Sequence, residues 1–77
     1  MNSLLKSYRL KAGISQFQLA AIAGFSDGQR RISHYESGNR KPGLTDCRIL
    51  VSALNSAGVP CTLDDVFPPT QEHQKAS

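Results

Sequence analysis

Apolar positions recur along this chain at three- and four-residue intervals, in stretches closed by glycine or proline, the pattern of short amphipathic helices. The first stretch runs to about Ala12. Asn2 or Ser3 is placed to cap it, Leu4, Leu5 and Tyr8 share one side, Lys6 and Lys11 point to water, and Gly13 ends it. Ser15 opens the second: its hydroxyl can accept from the backbone N–H of Gln18 while the Gln18 side chain reaches back, a capping box, and Ile14 is placed to staple onto Leu19. That helix continues through Leu19, Ala20, Ile22 and Ala23 to Gly24, its alanines small enough for a neighbouring helix to lie close. A turn follows over residues 25–28, and a third helix is predicted over roughly 28–37, ended by Gly38. Leu44 to about Ala57 form the fourth, with Leu44, Cys47, Leu50, Val51 and Leu54 inward, and Gly58 to Pro60 break it. Thr62 caps a last short helix against Asp65, with Leu63, Val66 and Phe67 supplying apolar surface. Pro68 and Pro69 stop it, and residues 71–77 read as a frayed, exposed end.

The third helix carries the most information. At about 100° per residue, Ile32, Tyr35 and Glu36 cluster on one side, whereas Arg30, Ser33, His34 and Ser37 project from the other. Gln29 lies at the N-terminal tip and Arg31 on the flank. The outward side has no aliphatic residue, and it lacks the Glu and Lys that an ordinary solvated helix would carry. A helix entering the major groove end-first could offer Gln29 to adenine N6/N7, Arg30 or Arg31 to guanine O6/N7, and Ser33 or His34 to a base edge. Asn39, Arg40 and Lys41 then form a polar, cationic loop before Pro42, suited to neutralising phosphates, which gives affinity and salt dependence without sequence discrimination.

Composition sharpens this reading. With 77 residues the chain is one domain with one small core and little room for a catalytic cavity. The formal charge is +3, divided unevenly: residues 1–41 hold seven Lys/Arg against two acids, and residues 42–77 hold two against four. A basic face that attracts a polyanion is the natural reading of that asymmetry. Cys47 and Cys61 are too few for a disulfide framework or a zinc site, and no apolar run is long enough to cross a bilayer. We therefore expect free thiols, a cytoplasmic protein, and no membrane, metal, cofactor or small-molecule substrate. An enzyme is disfavoured: Ser33 and His34 diverge by about 100° on the helix, no acid orients the imidazole, and no Gly-rich phosphate loop follows a strand.

Several spaced features together resemble the phage lambda repressor and Cro-like (XRE-type) helix-turn-helix family, over about residues 4–67. They are Arg9, Gly13, Ser15-Gln16, Leu19-Ala20, Gly24, Ile32-Ser33, Glu36, Gly38 and Arg40-Lys41-Pro42. The resemblance implies a compact five-helix, all-α, lambda-repressor-like DNA-binding domain over residues 1–67, with residues 68–77 as a flexible C-terminal tail. It implies that Gln16 bonds a phosphate and braces Gln29, with Ser37, Asn39, Arg40 and Lys41 as further phosphate contacts. Arg9 and Glu36 match a buried ion pair, consistent with the cost of leaving an inward Glu36 unpaired.

In two respects the chain departs from the family pattern. Between Gly24 and Ile32 it carries two extra residues, around 26–29. Either the turn is longer, or Ser26 caps the third helix with Gln29 answering in a second capping box; the two options aim the tip differently. The link from Asn55 to Cys61 is also longer than usual. The resemblance further implies a sequence-specific regulator, a phage-type repressor associated with the nucleoid of a bacterial host, which occludes a promoter as a homodimer on a pseudo-palindromic site in double-stranded DNA, with half-sites ~34 Å apart. A chain this small can dimerise on DNA alone, with Leu63, Val66 and Phe67 as interface candidates. The alternative is an antitoxin-like module whose C-terminal surface holds a protein partner while the helix-turn-helix autoregulates.

Overall fold

Five helices account for the regular structure of the computed structural model, which describes residues 4–68: α1 (Leu5–Ala12), α2 (Gln16–Ala23), α3 (Gln29–Ser37), α4 (Leu44–Ser56) and α5 (Leu63–Val66). The starts of α2 and α5 follow from the capping residues. Ser15 Oγ accepts from Gln18 N–H at 3.0 Å while Gln18 Oε1 accepts from Ser15 N–H at 2.8 Å. Thr62 and Asp65 repeat the arrangement at 3.2 and 2.9 Å. Each box satisfies two N–H groups that a helix start would otherwise leave unpaired. The expected caps of α1, Asn2 and Ser3, lie outside the described residues, as do Pro69 and the expected tail.

The core is assembled from one face of every helix: Leu5, Leu19, Ala20, Ile32, Tyr35, Leu50, Ala53, Leu54 and Val66, with Tyr8, Ile14, Phe25, Val51, Cys61 and Phe67 packed around it. Packing of α2 against α3 and α4 is the most extensive, while α1 leans on α3 and α4 and α5 on α4. Leu19 and Ala20 supply the α2 side of that junction, and the small alanine lets the helices approach closely. Asn55 closes the longer link: its side-chain amide donates to Val51 and Cys61 carbonyls at 2.8 and 3.0 Å and accepts from Cys61 N–H at 3.3 Å, acting as a surrogate peptide group. Leu4 N–H donates to Val66 O at 2.8 Å, tying the start of the described chain to α5.

Three expectations about burial need correction. Leu4 is exposed rather than inward, because it precedes α1 and serves as its N-cap position. Leu44, also expected inward, is 58% exposed, because as the first residue of α4 it projects past the turns that meet α2. Val66, expected on a partner-binding surface, is 0% exposed: the single turn of α5 folds back onto the core and carries it inside.

The α2–α3 turn decides between the two options for residues 26–29. The end of α2 is a glycine cap in which Gly24 has φ 79° and Phe25 N–H donates to Ala20 O at 3.0 Å. The chain then makes a turn closed by Gly28 N–H to Phe25 O at 3.2 Å, and α3 starts with Gly28 at φ 66°, ψ −148° and no side-chain cap. Of the two options, the structure adopts the longer turn, and Ser26 does not cap α3. That backbone conformation is essentially restricted to glycine, so Gly28 is what makes this connection possible.

Candidate nucleic-acid interface

The orientation of α3 is set from beneath. Ile32 and Tyr35 are buried, and Glu36, one turn past Ile32, meets Arg9 of α1: Arg9 Nε donates to Glu36 Oε2 at 2.6 Å and Nη2 to Oε1 at 3.2 Å. Arg9 Nη1 also donates to the Ile14 carbonyl at 2.9 Å. The two side chains are only 10% and 5% exposed, so this is a two-pronged, charge-assisted link between the start of the chain and the end of α3. Gln16 Nε2 adds a third donor to Glu36, at 3.0 Å from Oε1. Gln16 therefore braces Glu36 and not Gln29 as expected, because a buried carboxylate with free acceptor capacity holds a nearby amide more strongly than a neutral amide does.

With Ile32, Tyr35 and Glu36 turned inward, the opposite face of α3 is left to solvent. Gln29, Arg30 and Ser37 are exposed, and Ser33 and His34 are half-buried on the same side. Gly38, at φ 86°, ends the helix in the left-handed conformation and turns the chain into the basic loop. That loop is tied back onto α3: Arg40 N–H donates to the His34 carbonyl at 3.3 Å, and the Ser37 hydroxyl donates to the same carbonyl at 3.2 Å and accepts from Asn39 N–H at 3.4 Å. Asn39, Arg40 and Lys41 are exposed. The loop thus presents two cationic side chains at a fixed place beside the C-terminal end of α3.

Electrostatics around this face favour an anion. Of the acids in and around α3, Glu36 is paired with Arg9, and Asp27 and Asp46 share Arg31. Arg30, Arg40 and Lys41 form no ion pair among the described residues. The cations that stay available therefore lie on the outward side of α3 and in the loop after it, while the nearby carboxylates are held in ion pairs.

Arg31 sits elsewhere than the other predicted base readers. Its guanidinium lies 3.2 Å from Asp27 Oδ2 and 3.3 Å from Asp46 Oδ2, and stacks 4.5 Å from the centre of the Phe25 ring. Tyr35 donates its hydroxyl to Asp46 Oδ2 at 2.5 Å. Sequence reasoning missed both carboxylates. The four-residue spacing of Asp27 and Arg31 across the start of α3 was a usable signal; Asp46, fifteen residues from Arg31, was not, because tertiary packing brings it there.

Among the described residues no group of three His, Cys, Asp or Glu could hold a metal ion. His73 lies outside the described residues. Cys47 and Cys61 are free thiols whose pKa values are pushed up by burial, further raised by nearby Asp46 and Asp65 respectively, which suits packing and not nucleophilic attack. No described helix is long and apolar enough to cross a membrane.

Comparison with known proteins gives one match. A family model described as helix-turn-helix matches residues 5–57, which spans α1 through α4 and the turn after it. No curated protein and no solved structure matches the chain. The matched span covers most of the chain and includes the buried Arg9–Glu36 link, the α2–α3 turn and the outward face of α3. The chain belongs to the Cro/C1-type (XRE) helix-turn-helix family of DNA-binding transcription regulators.

Proposed function

We propose that this regulator is a phage-type repressor that binds a pseudo-palindromic operator as a homodimer and acts by occlusion, without chemistry. One observation carries the reading: α3 turns toward solvent a face without carboxylates, flanked by Arg30, Arg40 and Lys41, which form no ion pair among the described residues, while each acid nearby is held in one. Gln29, Arg30, Ser33 and His34 are the base-contacting set. Gln16, Ser37, Asn39, Arg40 and Lys41 set the register on phosphates. Gln16 can serve a phosphate with the remaining N–H of its amide while the other stays on Glu36. Two protomers on half-sites ~34 Å apart would together reach useful affinity.

A cytoplasmic site of action follows from a DNA target. The antitoxin-like alternative loses support, because Val66, one of its three proposed contact residues, is enclosed in the core, and Leu63 and Phe67 are only half-exposed. The same burial leaves Leu63 and Phe67 as the remaining candidates for a homodimer contact.

Binding measurements on a selected site and on random DNA test the reading. Arg30→Ala and His34→Ala should each cost about 1–3 kcal/mol on the selected site and little on random DNA. Lys41→Ala should weaken both alike and lower the slope of log K against log salt by about one. Equal losses on both DNAs for all three variants would make α3 a clamp and not a reader.

A further inference from the structure

The end of α3 that would enter the groove first is poorly secured by its own backbone. Gly28 provides no side-chain cap, so the first N–H groups of α3 have no capping side chain to hold them. Ile32, Tyr35 and the Arg9–Glu36 link hold α3 from below, but of these only Ile32 lies in its first turn, and one buried residue there does not fix the direction in which the tip points. Arg31 supplies what is missing. Its Nε and Nη2 lie 3.3 and 3.2 Å from Asp27 Oδ2 in the turn, its Nη1 lies 3.3 Å from Asp46 Oδ2 in α4, and its flat face rests on Phe25. Asp46 Oδ2 is in turn held by the Tyr35 hydroxyl from the next turn of α3. Three separate pieces of chain, the longer turn, α3 and α4, therefore meet on one planar guanidinium.

We infer that Arg31 is a positioning residue and not a base reader: together with Asp27 and Asp46 it locks the longer α2–α3 turn against α4 and so sets the angle at which Gln29 and Arg30 are offered to DNA. A guanidinium has five N–H groups, and those that point to either side are already committed to carboxylates. Reaching a base would break both pairs and expose two carboxylates beside the phosphates. Arg30, one residue earlier and unpaired, has no such cost. The clamp also gives the longer turn a purpose, since Phe25 and Asp27 both belong to it.

This inference rests on the DNA-reading role proposed for α3, and the test separates the two. Asp27→Asn, Asp46→Asn and Arg31→Gln are compared with the wild type by two readouts. The first is the ratio of affinities for a selected site and for random DNA, in which general charge effects largely cancel. The second is amide hydrogen exchange of residues 29–32 in the free protein. All three variants should lower the affinity ratio about 5- to 30-fold, and the double variant Arg31→Gln/Asp46→Asn should be no worse than Arg31→Gln alone. Exchange at residues 29–32 should quicken about tenfold while α2 stays protected. Asp27 is exposed on a turn, so Asp27→Asn keeps the test open should Asp46→Asn fail to fold. The inference is overturned if Asp27→Asn or Asp46→Asn leaves or raises the ratio while Arg31→Gln alone removes preference at one base pair, which is the behaviour of a reader. Unchanged exchange in folded variants overturns it as well. A wild type without any site preference but with quickened exchange in the variants would remove the reading role and leave the clamp standing.

Discussion

Cutting the link between Arg9 and Glu36 should cost this domain a large share of its stability. In Arg9→Met, Glu36 keeps its charge in a place where its side chain is 5% exposed, and retains only the 3.0 Å donor of Gln16. Removing one partner of a buried pair typically costs about 3–5 kcal/mol, because the remaining charge is left uncompensated. The lower figure suits this site, since Gln16 still donates and the pair lies at the edge of the core. About 3 kcal/mol would lower the melting temperature by roughly 12–24 °C in a domain of this size, where each kcal/mol is worth about 4–8 °C. Glu36→Leu should cost a comparable amount by stranding the guanidinium, which would keep only its bond to the Ile14 carbonyl. The double variant Arg9→Met/Glu36→Leu should cost less than the two singles added together, because no buried charge remains. Urea denaturation followed by far-ultraviolet circular dichroism gives all three values. If each single substitution costs under about 1 kcal/mol and the two effects add, the pair behaves as a solvated surface contact and the reasoning fails.

Two further outcomes follow from the same structure. Burial, and secondarily the hydrogen bond to Asp46, push the Tyr35 hydroxyl above the ordinary phenol pKa of about 10. Its contribution to stability is therefore complete below about pH 10 and is lost as pH rises through the folded-state value, so wild-type melting temperature should fall more steeply above that pH than in Tyr35→Phe; parallel profiles would contradict it. Gly28→Ala should destabilise by about 1–3 kcal/mol, since φ 66° with ψ −148° is closed to a residue with a Cβ although nothing crowds the site. A neutral result in chemical denaturation would mean that the turn relaxes into another conformation.

Most of the local chemistry decided within one turn of chain was readable, the Asp27–Arg31 pair being the exception. The boxes at Ser15 and Thr62, the stops at Gly13, Gly24 and Gly38, and the inward trio of Ile32, Tyr35 and Glu36 depend on neighbours three or four residues away, and the structure has them as the pattern predicts. Periodicity failed at element ends. Leu44 keeps the spacing of an inward residue but lies ahead of the packed part of α4, and Val66 looked available only because a one-turn helix gives no information on which way it folds back. The interface mixed both kinds of information: exposure of Gln29, Arg30 and Ser37 followed from the helical wheel, whereas the capture of Arg31 by Asp46 and of Gln16 by Glu36 needed contacts from other helices.

Selection from a random double-stranded oligonucleotide pool at low ionic strength addresses the proposed reading role of α3 most directly. The expected product is a short pseudo-palindrome whose half-sites are about one helical turn, ~10 bp, apart, and whose enrichment disappears in Arg30→Ala. A wild-type pool that stays random would contradict it.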